Sequence, residues 1–334
     1  MRSVFKTFVI ALLVGTVSVP TVKKVANVAY EAVKTEYCYL VAGLDDAASN
    51  TDALLVITYD SKDNSSSIIQ IPRDTYCKFG SGLNKINHLY ASFRTSGLSP
   101  EKSMKKTTEF IGERLGIDFD GYVAITTKAF KNAVDSIGGV YITLSDDFVY
   151  KDSKNQYSFI LPKGENILDG QKAEIFVRYR KGYALGDLGR LDAQKIFING
   201  FYNTVTKRVG FDELIRGISD VKDGVITDFS ITNIFIMVFK HSSKFRDVNI
   251  TYLTMPGESA CDESGTWYYV LNRKACENVL QKHFHKFNGT FDIKKEFTDI
   301  NKPLFNKIYN RTDIGFKEYG MNEILDIDII KNKK

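Results

Sequence analysis

YCYLVAGLD (residues 37–45), ALLVITYD (53–60) and SIIQIPRD (67–74) are three short apolar runs rich in β-branched residues, separated by polar turns. Each has the length and composition of a buried strand, and the third stops at Pro72, which cannot donate to a sheet. The turn between the second and third, DSKDNSSS, reads as a hairpin tip. Asp45, Asp52, Arg73 and Asp74 then fall at strand ends or in the adjoining loops, where open α/β sheets place their sites. Downstream, strands alternate with helices. Ser99-Pro100 opens a helix that Gly116 closes, GYVAITT (121–127) is a strand, and a helix follows over 128–136. Gly138-Gly139 turns the chain into VYITLS (140–145), and 145–168 reads as an exposed loop or hairpin. Further helices are predicted at 211–220, 230–243 and 272–286, with a strand at 248–254. The class is α/β, a mixed central sheet flanked by helices in an α-β-α sandwich.

FVRYRKGYALGDLGRLDAQ (176–194) carries the charge chemistry. A helix ends near 180 and a longer one opens at Asp187 and runs to about 207. Arg178, Arg180 and Arg190 gather around that opening, with Asp187 beside them and Gln194 one helical turn beyond Arg190. Guanidinium forks close to a helix N-terminus favour phosphate oxygens, and arginine stabilises charge rather than moving protons.

Composition permits an ordinary globular domain. The chain has 334 residues, 43% hydrophobic and 25% charged, with a net charge of +5 from dispersed basic residues. No zinc-finger spacing or aromatic-plus-basic motif points to nucleic acid. Four histidines, His88, His241, His283 and His285, are scattered without metal-ligand spacing. Of the four cysteines, Cys261 and Cys276 bracket a turn and strand and read as a local disulfide. Cys38 and Cys77 either pair or serve as small buried hydrophobes.

The N-terminus adds a compartment. Basic residues in MRSVFK precede the uncharged apolar run FVIALLVGTVSVPTV (8–22), and Lys23 and Lys24 follow. No small-x-small cleavage site follows, so the run reads as a signal anchor rather than a cleaved peptide. This predicts a single-pass protein of the cell membrane with its globular part outside. The divisions are 1–35 (cytoplasmic start, anchor and connector), 36–288 (the main domain) and 289–334 (an extension of no assigned role).

VAGLD (41–45), NTD (50–52), IPRDTY (71–76), KINHLY (85–90), SIGGV (136–140) and the RYR–GDLGR–Q run to Gln194 occur in an order and spacing that resemble the LytR-CpsA-Psr (LCP) family of bacterial envelope assembly. The resemblance is closest over about 36–206. It implies a phosphotransferase that moves a glycopolymer phosphate from an undecaprenyl-pyrophosphate carrier to peptidoglycan. By the same resemblance, Arg73, Arg178, Arg180 and Arg190 bind the pyrophosphate. Asp45 and Asp52 stand beside a divalent ion, Mg²⁺ or Mn²⁺, although Asp46 follows Asp45 and could be the ligand instead. Lys85 and Asn87 line the entrance, Asp187 orients an arginine, and Gln194 bonds a phosphate oxygen. Asp52, Asp74 and Asp187 are the candidate bases. Two departures are Asn50 and Ala193, where the family usually has arginine. They leave open an alternative, an envelope protein that binds a lipid carrier or polysaccharide with little turnover.

Overall fold

A computed structural model describes residues 35–327 apart from 48, 80–81, 153–156, 182, 184–186, 211–216, 218–220, 230–246, 285–302 and 313. The anchor reading and the helices predicted at 211–220 and 230–243 lie essentially outside the described residues. Among the described residues no helix is long and apolar enough to cross a membrane.

In chain order the elements are β1 (Glu36–Leu44), β2 (Thr51–Asp60), β3 (Ser65–Ile71), β4 (Tyr76–Phe79) and β5 (Gly82–Lys85). Helices α1 (Leu89–Thr95) and α2 (Pro100–Leu115) precede β6 (Gly121–Ile125) and α3 (Thr127–Ser136). Next come β7 (Val140–Leu144), β8 (Phe148–Lys151), β9 (Ser158–Leu161), β10 (Gly164–Leu168), α4 (Gly170–Arg178) and α5 (Asp187–Arg208). The chain continues through β11 (Val225–Thr227), β12 (Asn249–Thr254), β13 (Gly257–Cys261), β14 (Trp267–Leu271) and α6 (Arg273–His283). It ends in α7 (Pro303–Tyr309) and β15 (Glu318–Gly320).

Local chemistry sets the boundaries. Ser99 Oγ accepts from Lys102 N at the start of α2, and Gly116 ends that helix at φ 65°, a left-handed conformation that glycine reaches without a Cβ clash. Asp169 caps α4 by accepting from Lys172 N at 2.8 Å. Gly139 has φ 95°, and a Cβ there would lie 2.8 Å from Ile167 Cγ2, so only glycine carries the turn into β7.

The main sheet has seven strands in the order β11-β6-β1-β2-β3-β12-β15. The β1/β2, β2/β3, β6/β11 and β12/β15 pairs are antiparallel, whereas β1/β6 and β3/β12 are parallel, as in a mixed sheet. Alternation along β1 sends Cys38, Leu40, Ala42 and Leu44 to one core, which α1, α2 and α6 cover through Tyr90, Ile111 and Val279. Tyr37 and Tyr39 face the other core, covered by α3, α4 and α5 through Val134, Phe176 and Ile196. Each fully buried side chain of this size contributes roughly 1.5–3 kcal/mol, so both faces of the sheet are secured by helices.

One sequence reading changes here. Cys261 and Cys276 are free thiols, as are Cys38 and Cys77. Cys261 sits on β13 opposite Trp267, while the Cys276 thiol on α6 donates to Pro256 O. Proximity in sequence set the loop length but not the direction of the thiols. Part of the 289–334 segment joins the fold. Phe305 and Ile308 of α7 pack with Tyr76, Tyr268 and Val270, and β15 adds an edge strand to the main sheet.

Candidate functional site

Asp52 owes its direction to an irregularity. Gly43 pairs with Ala53 but Leu44 pairs with Thr51, so Asp52 is the extra residue of a bulge. Strict alternation would send it to the same core as Leu54 and Val56. The bulge instead sets it beside Ala53 and Leu55 on the wall of a cavity of about 180 Å³ between the sheet and α3, α4 and α5. Val41, Phe130, Val177 and Phe197 line the apolar interior, and Asp52, Glu174, Arg178 and Arg190 form its charged part.

The charges are paired. Arg73 Nη1 lies 2.6 Å from Asp52 Oδ1, and Arg178 Nη2 lies 3.6 Å from Asp52 Oδ2. Arg178 Nη1 also donates to Asp46 at 3.0 Å and to Glu174 at 2.7 Å, and Lys131 approaches Glu174 at 3.2 Å. Burial acts to lower the Arg178 pKa, but pairing with Asp46, Asp52 and Glu174 outweighs it and raises the pKa. Arg190 is 2% exposed. Among the described residues, Arg73 Nε and Asn87 Oδ1 are buried without a hydrogen-bond partner, and Asn87 N donates to Arg73 O at 3.2 Å.

The remaining predicted residues spread around this centre. Asp45 closes a tight loop, accepting from Ser49 N at 2.7 Å and from Asn50 Nδ2 at 3.0 Å. Burial pushes its carboxyl up, and these donors outweigh that and hold it below the usual range. Lys85 pairs with Asp74 at 3.0 Å and stands 5.7 Å from the Tyr268 ring centroid. Arg180 is exposed in the segment between α4 and α5. Asp187 opens α5, and its side chain lies outside the described residues. Gln194 is buried, with Oε1 accepting from Gln70 Nε2 and Nε2 donating to Val177 O, so both of its ends are bound to protein. Asn50 is committed to Asp45, and Ala193 is fully buried in the second core, where an arginine would face apolar side chains.

Sequence reading missed Glu174 and the pairing role of Asp46. Glu174 was findable, being four residues before Arg178 on one helix. The partnership of Asp46 spans 132 residues and had no local signal.

The divalent ion implied by the resemblance would meet a sparse donor set. Among the described residues no three His, Cys, Asp or Glu side chains gather as a metal cage. Asp45 and Asp52 flank the same end of the β1–β2 pair, and the two carboxylates, held here by Ser49, Asn50, Arg73 and Arg178, are the oxygen donors that a hard cation arriving with substrate phosphates would meet.

The LytR_cpsA_psr family matches residues 16–285, and the chain belongs to that family. Among its relatives, the polyisoprenyl-teichoic acid–peptidoglycan teichoic acid transferase TagU of Bacillus subtilis is 27% identical over 257 residues, 75% of this chain and 77% of TagU. The crystal structure of Bacillus subtilis TagV superposes with a TM-score of 0.62 at 23% identity, over 77% of this chain and 99% of TagV. A structure of TagT bound to LI-WTA gives 0.59 at 21% identity, over 76% of this chain and 91% of TagT. These two likenesses establish the mixed α/β fold.

Proposed function

We propose that this protein transfers a glycopolymer phosphate from a polyprenyl-pyrophosphate carrier to a hydroxyl of peptidoglycan, at the outer face of the cell membrane. Family membership supports a transferase, since relatives such as TagU are teichoic acid transferases. The observation that carries the reading is the cavity itself, with an apolar interior for a prenyl chain and guanidiniums for the pyrophosphate.

Phosphoryl transfer asks a protein mostly for positioning and charge stabilisation. Arg73 and Arg178 each hold fixed forks, and the carboxylates that pair them set their direction before substrate arrives. Arg190, almost fully buried, adds a third cation at the cavity wall. Arg180 reaches the exposed side, where the leaving phosphate departs. Asp45 and Asp52 would hold Mg²⁺, which supplies neutralisation of charge on the phosphate oxygens when bound. Asp74, held by Lys85 on the entrance side, is the candidate to take the acceptor hydroxyl's proton, because both oxygens of Asp52 already face guanidiniums.

The test uses the full chain in detergent with a short-chain polyprenyl-pyrophosphate glycan and peptidoglycan fragments, following lipid-phosphate release and glycan transfer with and without Mg²⁺. Metal-dependent transfer that disappears in Arg178→Ala is expected. Carrier binding with no release or transfer in the unsubstituted protein would replace the ligase reading with that of a carrier-binding protein.

A further inference from the structure

At the opposite end of the sheet one row of side chains breaks the pattern of its face. The row Leu40–Val56–Ile69–Leu253 crosses β1, β2, β3 and β12 and belongs to the first core. Two residues further along, the same register brings Cys38, Thr58, Ser67 and Thr251 into line across the same four strands. This small, mostly polar row floors a second cavity of about 210 Å³ beneath the end of α6. Ser67 lies six residues from Arg73 along the chain, about 20 Å in extended conformation, so the cavity is separate from the candidate site.

A hydrogen-bonded relay ends on that row. The Ser67 hydroxyl lies 2.9 Å from His283 Nδ1, and His283 Nε2 lies 2.8 Å from Glu318 Oε1. Lys282 holds the same carboxylate at 2.6 Å. An ionised carboxylate only accepts, so Glu318 fixes the ring proton on Nε2 and leaves Nδ1 of the neutral ring as the acceptor for Ser67. The His283 side chain is 8% exposed, so the ring lies below the surface with Glu318 at its outer edge. A nucleophile within reach of a base, which a third group orients, is the arrangement that activates a serine.

We propose that this cavity is a second reactive site, in which Ser67 is a nucleophile, His283 its general base and Glu318 a positioning residue, and that its substrate class is a small, uncharged O-acyl ester. Ser67 Oγ adds to the ester carbonyl carbon as its proton passes to His283 Nδ1. The adduct collapses by breaking the ester C–O bond, and the alcohol leaves with that proton. Water, deprotonated in turn by His283, cleaves the acyl–Ser67 ester, releases the carboxylic acid and restores the hydroxyl. The hydroxyls of Thr58 and Thr251, the direct register partners of Ser67, are the donors on hand for the oxyanion. Glu36 and Asp60 on the cavity wall disfavour anionic esters, since Lys282, the lysine on that wall, is already paired with Glu318, and the cavity's size limits the acyl group to a short one.

The test treats the full-length protein in detergent with a fluorophosphonate probe and p-nitrophenyl acetate, and maps the adduct by mass spectrometry. A single adduct on Ser67 is expected, absent from Ser67→Ala and forming about a hundredfold more slowly in His283→Ala. No adduct on Ser67, or equal rates with and without His283, would overturn the proposal. Should His283→Ala fail to fold, Glu318→Gln decides, with labelling expected to slow about tenfold while the melting transition stays cooperative. Unchanged labelling in that variant would mean that the relay merely fastens β15 to the sheet.

Discussion

The two ends of the central sheet are built on opposite electrostatic plans. Around Arg73 the side chains are charged and interlocked, with Asp52 joining Arg73 to Arg178, and Asp46 and Glu174 holding Arg178 from its other side. Around Ser67 a neutral hydroxyl meets an imidazole, which the Lys282–Glu318 pair backs from its far side. The first plan fixes positive charge in space and suits a substrate that brings negative charge. The second leaves a proton free to move along a short chain of hydrogen bonds and suits bond-making at a neutral centre. The bulge at Asp52 and the polar row at Ser67 are the devices that turn one sheet to both purposes.

The comparison breaks most sharply at Arg178. Arg178→Ala removes one phosphate fork and the guanidinium shared by Asp46, Asp52 and Glu174, with Lys131 left on Glu174 and Arg73 on Asp52. Transfer is expected to fall by 10²- to 10³-fold, about 3–4 kcal/mol of transition-state stabilisation. Arg178→Lys should recover little, because an ammonium cannot reproduce the fork that spans several oxygens. Ester cleavage at the Ser67 end, followed in the same preparations, provides the contrast. Loss of both activities together would mean that the two ends form one site.

The next largest effect is on stability and concerns how the C-terminal elements are held. Asn272 is fully buried, accepts from Ala275 N at the start of α6, and donates to Ile308 O and Arg311 O beyond. Asn272→Ala removes a cap and strands the Arg311 carbonyl, a cost of about 2 kcal/mol in denaturant unfolding. Because α6 carries His283, the Ser67 end should lose function at lower denaturant than the Arg73 end. Equal sensitivity of the two ends would deny them separate supports.

Smaller again is the effect of filling the apolar cavity. Ala53→Phe projects a ring toward the space lined by Leu55, Phe130 and Phe197. About tenfold weaker use of a long-prenyl carrier is expected, with short-prenyl substrates spared. That corresponds to roughly 1.4 kcal/mol, the burial of about two methylenes. Equal loss for both substrates would place the lipid elsewhere.

What could be read beforehand, and what could not, follows the range of the interactions. Helix ends marked by Ser99-Pro100, Gly116, Gly138-Gly139 and Asp187, and the strands of 37–72, were legible because caps, turns and alternation act within a few residues. The arginines and acids of the candidate site stood out through their motifs. Their pairing did not, since Arg178–Asp46 depends on which strands become neighbours. The bulge that turns Asp52 is a defect of register, which no count of apolar residues encodes. Ser67 and His283 are 216 residues apart and carry no motif, and β15 is only three residues long. Two cysteines at hairpin spacing suggested a bridge, yet the strand and helix that carry them hold the thiols as separate groups.

Acid should separate the ends most gently. The carboxyls of Asp45, Asp46 and Glu318 are each pushed up by burial and more than compensated, by Ser49 and Asn50, by Arg178, and by Lys282 and His283 respectively. All three pKa values lie below their ordinary ones. Their stabilisation is therefore complete above the unfolded carboxylate pKa, near 4, and is lost as pH falls through the lower folded values. Between pH 6 and 8 these groups should contribute no slope to the unfolding free energy, and below about pH 4 the slope should appear. Asp46 is largely exposed, so solvent screening keeps its share under about 1 kcal/mol. In Arg178→Ala the part of the acid-induced loss that comes from Asp46 should shrink to what Thr127 and Lys131 supply, while the part from Glu318 persists. An acid profile unchanged by that substitution would show that Asp46 owes its lowered pKa to something other than the guanidinium it touches.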